Sequence, residues 1–116
     1  MTLHSALVQS VTDDTFQAEV LEADRPVVVD FTAPWCAPCR ALSPLLAQVA
    51  EQRPDVRFVQ VDVDLERRAA AEHHVLSMPT LVVFEHGRPV LRLVGARSLK
   101  RLVADLAPAI GEAVPA

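Results

Sequence analysis

The sequence predicts an α/β domain built on a four- or five-stranded mixed sheet, with helices on both faces. Two observations predict it. Valine-rich apolar runs alternate along the chain with segments whose apolar residues recur at helical spacing. Near the end, two strand-like runs are joined by a few turn-forming residues, which makes a hairpin. The 116 residues are the size of one domain, expected to span 1–116, and 51% of them are apolar, enough for a core.

Taken in order, residues 7–11 read as a short first strand. Thr12 or Asp13 can cap a helix that carries Phe16, Val20 and Leu21 on one face, up to about Ala23. "RPVVVDFTA" is nearly continuous in apolar residues and predicts a strand buried on both sides. A helix over residues 36–52 follows, with Leu42, Leu45, Leu46, Val49 and Ala50 on one stripe. "VRFVQVDVD" is a second buried strand, and "LERRAAAEHHV" is helical by propensity. "PTLVVF" and "PVLRLV" are strands flanking the turn "EHGR". From Ser98 a last helix presents Leu99, Leu102, Val103, Leu106 and Ile110, and "EAVPA" reads as a frayed tail. Crossover helices imply parallel strands in the middle of the sheet, with the hairpin as an antiparallel edge.

Composition removes several classes of partner. A net charge of −4 argues against a phosphate-backbone ligand, so no nucleic acid is expected. No apolar run approaches the roughly 18 residues of a membrane span, so no membrane is expected either. The start of the chain has neither a basic segment nor a long apolar one and is not read as a secretory leader.

The chemistry concentrates in "APWCAPCRALSP". It holds both cysteines, Cys36 and Cys39, and the single tryptophan, Trp35. Two cysteines are too few for a disulfide scaffold, so they read as a reactive or metal-binding pair. A zinc site would need ligands from His4, His73, His74 or His86, whose spacing does not suit one. Cys36 falls just after a predicted central strand, at the start of a helix. There, free N–H groups and the positive dipole end stabilise a thiolate. Cysteines three apart share a helical face and can be bridged. Pro38 sits where a missing N–H costs nothing and stiffens the loop. Cys36 is therefore expected to be the exposed, attacking thiolate and Cys39 the buried, resolving thiol. Asp30 lies in the apolar strand before them, where burial raises a carboxyl pKa. His73 and His74 read as surface residues.

These residues resemble the thioredoxin family over essentially the whole chain. "VVVDFTAPWCAPC" is similar to the family's active-site signature, "SMPT" (77–80) to its cis-proline loop, and Val94 with Gly95 to its glycine beside the site. The resemblance implies a thioredoxin fold and a protein-disulfide oxidoreductase that needs no bound cofactor. Cys36 would be the nucleophile, Cys39 the resolving cysteine, and Asp30 the buried group relaying a proton to or from Cys39. Trp35, Met78, Pro79 and Gly95 would form the surface that receives an extended substrate segment, with the Met78–Pro79 bond cis. Pro44 looks like the family's helix-kinking proline. The implied partners are disulfide-containing substrate proteins and an NADPH-dependent thioredoxin reductase. The implied setting is the cytoplasm, as a monomer.

The chain departs from the common pattern at four places. Ala37 stands where glycine is usual; with Pro38 it is expected to tune the redox potential. Gln60 occupies a strand position where many relatives carry a lysine near the buried acid, and it too is a tuning candidate. Thr32 replaces an aromatic residue, leaving a smaller and more polar wall, and Ser77 replaces a glycine. Two other readings share the motif. A thioredoxin-like oxidant or isomerase is distinguished by its potential. A thioredoxin-fold binding module is distinguished by keeping its function when both cysteines are serine.

Overall fold

In the computed structural model, residues 7–112 are described. His4 and most of the "EAVPA" tail therefore lie outside the described residues. One mixed sheet contains β1 (Val8–Ser10), β2 (Val27–Thr32), β3 (Arg57–Asp62), β4 (Thr80–Glu85) and β5 (Arg88–Val94). Their spatial order is β1-β3-β2-β4-β5. A π-helical turn (Gln17–Leu21) and helices α1 (Ala37–Gln52), α2 (Arg67–Glu72) and α3 (Leu99–Ile110) complete the fold.

Successive side chains of a strand point to opposite faces, and β2 shows the consequence. Val28 joins Leu42, Leu46, Leu102 and Leu106 in the core under α1 and α3. Val27, Val29 and Phe31 join Phe16, Val20, Ala69 and Ala70 under the π-helical turn and α2. That is why the strand reads as almost unbroken valine. The same alternation puts Asp30, two residues after Val28, on the α1 face.

β1 and β2 both run parallel to β3, as crossover helices require. The reversal of direction, however, lies one strand further in than the hairpin implies, because β4 already pairs antiparallel with β2. The intervening helix α2 is short: its six residues span only about 9 Å, whereas a six-residue strand such as β3 is about 20 Å long. The connection does not return along the sheet, and β4 starts at the end where β3 stops. The ends of β2 and β4 that meet there carry the cysteine loop and the Met78–Pro79 loop.

Several boundaries differ from the sequence reading. The first strand covers residues 8–10 only, and Leu7 is exposed. Thr12 alone caps the following turn: its Oγ1 accepts from Thr15 N–H at 3.2 Å, while Thr15 Oγ1 accepts from Thr12 N–H at 2.8 Å. Asp13 instead reaches across to the start of α2, accepting from Ala69 N–H at 2.8 Å. The predicted helix to Ala23 is a π-helical turn, with Glu22 N–H bonded to Gln17 O at 2.9 Å. His73 is half-buried rather than fully exposed. Its ring lies 5.1 Å from those of Phe16, tilted, and Phe84, edge-on, and its desolvation lowers its pKa.

The hairpin follows from turn chemistry. His86 and Gly87 both have positive φ, 52° and 79°, the geometry of a tight two-residue turn. A Cβ on Gly87 would stand 2.8 Å from the Leu21 carbonyl oxygen, so glycine is required there. At the other end of the molecule Arg53 terminates α1. Its guanidinium grips both carboxylate oxygens of Asp55, at 2.9 and 2.8 Å. It also donates to the carbonyls of Ile110, Gly111 and Glu112, tying down the end of α3.

Candidate active site

The cysteine pair sits at the junction of β2 and α1. After β2, the chain turns through Ala33, Pro34 and Trp35, closed by Cys36 N–H bonding Ala33 O at 3.2 Å. Cys36 is the N-cap of α1, in extended conformation, and its Sγ accepts from Cys39 N–H at 3.2 Å. A sulfur in this position takes up one of the helix's orphan donors, which is how a helix start favours a thiolate. Pro38 lies in the first turn, exposed, with Ala37 exposed beside it. Cys36 and Cys39 form a disulfide, with Cα atoms 5.2 Å apart. In this oxidised state Cys36 is buried too, 5% exposed against 1% for Cys39. Cys36 keeps the slightly larger exposure of the two.

Met78 lies against the Cys36 sulfur, and Gly95 is tied to the same loop through Pro79. The Met78–Pro79 bond is cis, and the Met78 carbonyl oxygen lies 3.6 Å from Cys36 Sγ. Met78 packs on the small cluster of Ala33, Cys36 and Cys39. Gly95 N–H donates to Pro79 O at 2.9 Å, which joins the end of β5 to the cis-proline loop. Gly95 has φ +97°, and no atom lies within 4 Å of where its Cβ would stand. Glycine is thus set by backbone conformation and leaves open space at the rim. Trp35 is 63% exposed and held at its edge, where Nε1–H donates to Asp64 Oδ2 at 2.7 Å. An exposed aromatic so anchored is a rigid apolar surface.

Asp30 lies beneath the motif on the α1 face, 1% exposed, and its Oδ1 has no hydrogen-bond partner among the described residues. Burial pushes its carboxyl from 3.8 up to about 7. In register it faces Gln60 on β3 and Leu81 on β4. Gln60 is buried, and its amide donates to Ser10 Oγ at 3.1 Å. Arg40, next to Cys39 in sequence, turns its guanidinium to the Pro34 carbonyl at 2.7 Å. Thr32, in place of an aromatic residue, lines an open groove of about 800 Å³ together with Cys39, Pro44 and Gln60.

Two residues of this site escaped the sequence reading. Asp64 anchors Trp35 from the loop after β3, and Arg97 bonds the carbonyls of Val94 and Gly95. Asp64 acts across the fold and Arg97 on its own loop, and no sequence pattern marks either.

The thioredoxin family model matches residues 7–108. A thioredoxin of Mycolicibacterium smegmatis is 41% identical over 113 residues, covering 95% of this chain and 100% of its own length. A thioredoxin of Streptomyces clavuligerus is 41% identical over 93 residues, 80% of this chain and 87% of the relative. A bifunctional thioredoxin reductase/thioredoxin of Mycobacterium leprae is 43% identical over 101 residues. That match covers 86% of this chain but only 22% of the larger protein. With a matching fold, a bridged Cys-x-x-Cys pair at a helix start and a cis-proline beside it, this chain belongs to the thioredoxin family of protein-disulfide oxidoreductases, which act by dithiol–disulfide exchange.

Proposed function

We propose that the chain reduces disulfides in partner proteins, with Cys36 as nucleophile and Cys39 as resolving thiol. The observation that carries this is the place of Cys36 at the N-cap of α1, where its sulfur accepts the Cys39 N–H. The Cys36 thiolate attacks one sulfur of the substrate disulfide. A mixed disulfide forms and the other substrate sulfur leaves as a thiolate. Cys39, deprotonated, then attacks Cys36 Sγ, closing the internal disulfide and releasing the second substrate thiolate. Two electrons have passed to the substrate.

Asp30 is the base for the second step. With a carboxyl titrating at about 7, it is half ionised at neutral pH, suited to taking the Cys39 proton and returning it. Trp35, Met78, Pro79 and Gly95 receive the substrate as an extended segment, through main-chain groups and apolar contact, with little demand on its sequence. Ala37, Pro38 and Gln60 tune the couple. The electrons are restored by an NADPH-dependent thioredoxin reductase in the cytoplasm, and the chain works as a monomer. The pairing with a reductase is supported by the Mycobacterium leprae relative, whose name joins the two activities in one protein.

Brief iodoacetamide treatment of the reduced protein at neutral pH tests the roles. Cys36 is expected to be labelled first, read by mass spectrometry; preferential labelling of Cys39 reverses the assignment. Cys39→Ser should trap substrates as mixed disulfides and Cys36→Ser should not. Insulin reduction with NADPH and thioredoxin reductase tests the electron path.

A further inference from the structure

We propose that Arg97 is a positioning residue for the substrate rim. Anchored on Asp105 of α3, its guanidinium holds the backbone of Val94 and Gly95, and through it the cis-proline loop, in the shape that receives substrate. The inference rests on the rim assignment made above.

Residues 96–98 join β5 to α3 in no regular element. Val94 is the last residue of the ladder, opposite Thr80. Past it the sheet no longer holds the chain, yet Gly95 must keep its N–H on the Pro79 carbonyl. Arg97 supplies the missing restraint. Its Nη2–H donates to Val94 O at 2.9 Å and to Gly95 O at 3.4 Å, and Nε–H to Gly95 O at 3.4 Å. Nη1 pairs with Asp105 Oδ2 at 2.5 Å. The two partners are 16% and 25% exposed in their side chains, whereas Arg101, which also meets Asp105, is 73% exposed. Arg97 is therefore a fixed part of the fold. The chain of contact runs from α3 through Asp105, Arg97, Gly95 and Pro79 to Met78, whose carbonyl lies beside Cys36 Sγ. A planar fork that meets a carboxylate and two carbonyls at once is a task lysine does not share.

A brace for substrate predicts a loss that depends on the substrate. A protein disulfide must lie along the rim, whereas a small aromatic disulfide such as dithiobis(nitrobenzoate) needs only the Cys36 sulfur. In Arg97→Ala, KM for insulin should rise about tenfold, the size of a lost charge-assisted hydrogen bond. The kcat and the rate with the small disulfide should stay within about twofold, because the reacting thiols are untouched. Arg97→Lys should fall between, and Asp105→Asn should move the same way. Trp35→Ala serves as the control for the rim itself, since so exposed a side chain tests contact with little effect on folding. If Trp35→Ala raises KM for insulin and Arg97→Ala does not, the brace is refuted and the rim stands. If neither does, the rim assignment fails. Equal losses with both disulfides, following the fall in Tm, would show a purely structural role. Should Arg97→Ala not fold, unchanged KM in both Arg97→Lys and Asp105→Asn overturns the proposal.

Discussion

Asp30 and Arg53 are both charged types buried in the core, 1% and 5% exposed, and they are treated in opposite ways. Arg53 is met by a carboxylate on two arms and by three carbonyls at the end of α3. Asp30 has an oxygen with no partner among the described residues, and burial alone raises its pKa. A satisfied buried charge holds a structure together. One left short costs stability and keeps a proton within reach of exchange near neutral pH. The two positions thus set a part of the molecule that holds the fold apart from the part proposed to serve the reaction.

The largest test of that contrast is the pH dependence of stability. The Asp30 carboxyl titrates at about 7 in the folded chain against 3.8 as an ordinary carboxyl. Between those values the folded state holds a proton that the unfolded state has lost, so stability falls as pH rises from about 4 to about 7. The slope integrates to roughly 4 kcal/mol. Urea unfolding of the parent should show this fall and Asp30→Asn should not, leaving the variant the more stable above pH 7. The same variant should slow resolution of the mixed disulfide while Cys36 alkylation stays nearly unchanged. A parent stability that is flat over this range would break the comparison.

Arg53→Met should act in the other direction. It removes charge-assisted bonds to Asp55 and to the last carbonyls of α3, a loss of roughly 3 kcal/mol in urea unfolding. Specific activity below the transition should be retained. A loss of turnover without a loss of stability would show that this end of the molecule also serves the reaction.

The smallest effect is expected from Gln60→Lys. An ammonium placed opposite Asp30 favours the ionised carboxylate and should lower its pKa by roughly one unit. The low-pH limb of the turnover profile should move down with it. Superimposable profiles of parent and variant would mean that position 60 does not tune the acid.

What the sequence disclosed was whatever rests on neighbours. The two-sided burial of β2, the helix start at Cys36, the turn at His86 and Gly87 and the start of α3 after Ser98 each rest on residues a few positions apart. Asp30 was legible because an acid in a valine run stands out. Thr12 and Asp13 show the limit: both suit a helix cap, and only the folded chain sends Asp13 to α2. His73 was misread because the rings of Phe16 and Phe84 that cover it come from distant segments. Asp64 under Trp35 and the α3 carbonyls that meet Arg53 belong to the same class. The direction of β4 was hidden for a different reason: a connection of this length can enter the sheet in either sense, and helix ends are poorly marked in an alanine-rich segment.

The separation of Cys36 and Cys39, three residues in sequence, also fixes how little the bond constrains the chain. A disulfide closing a ring this small restricts the unfolded ensemble by roughly 1–2 kcal/mol on the chain-entropy argument, against nearly 5 for a loop of about 100 residues. Both sulfurs already sit in one helical turn whose shape is set by β2 and α1. Breaking the bond therefore releases almost no chain. The molecule can open and reclose it at every turnover while the rest of the fold stays in place, which a disulfide joining distant segments would not permit.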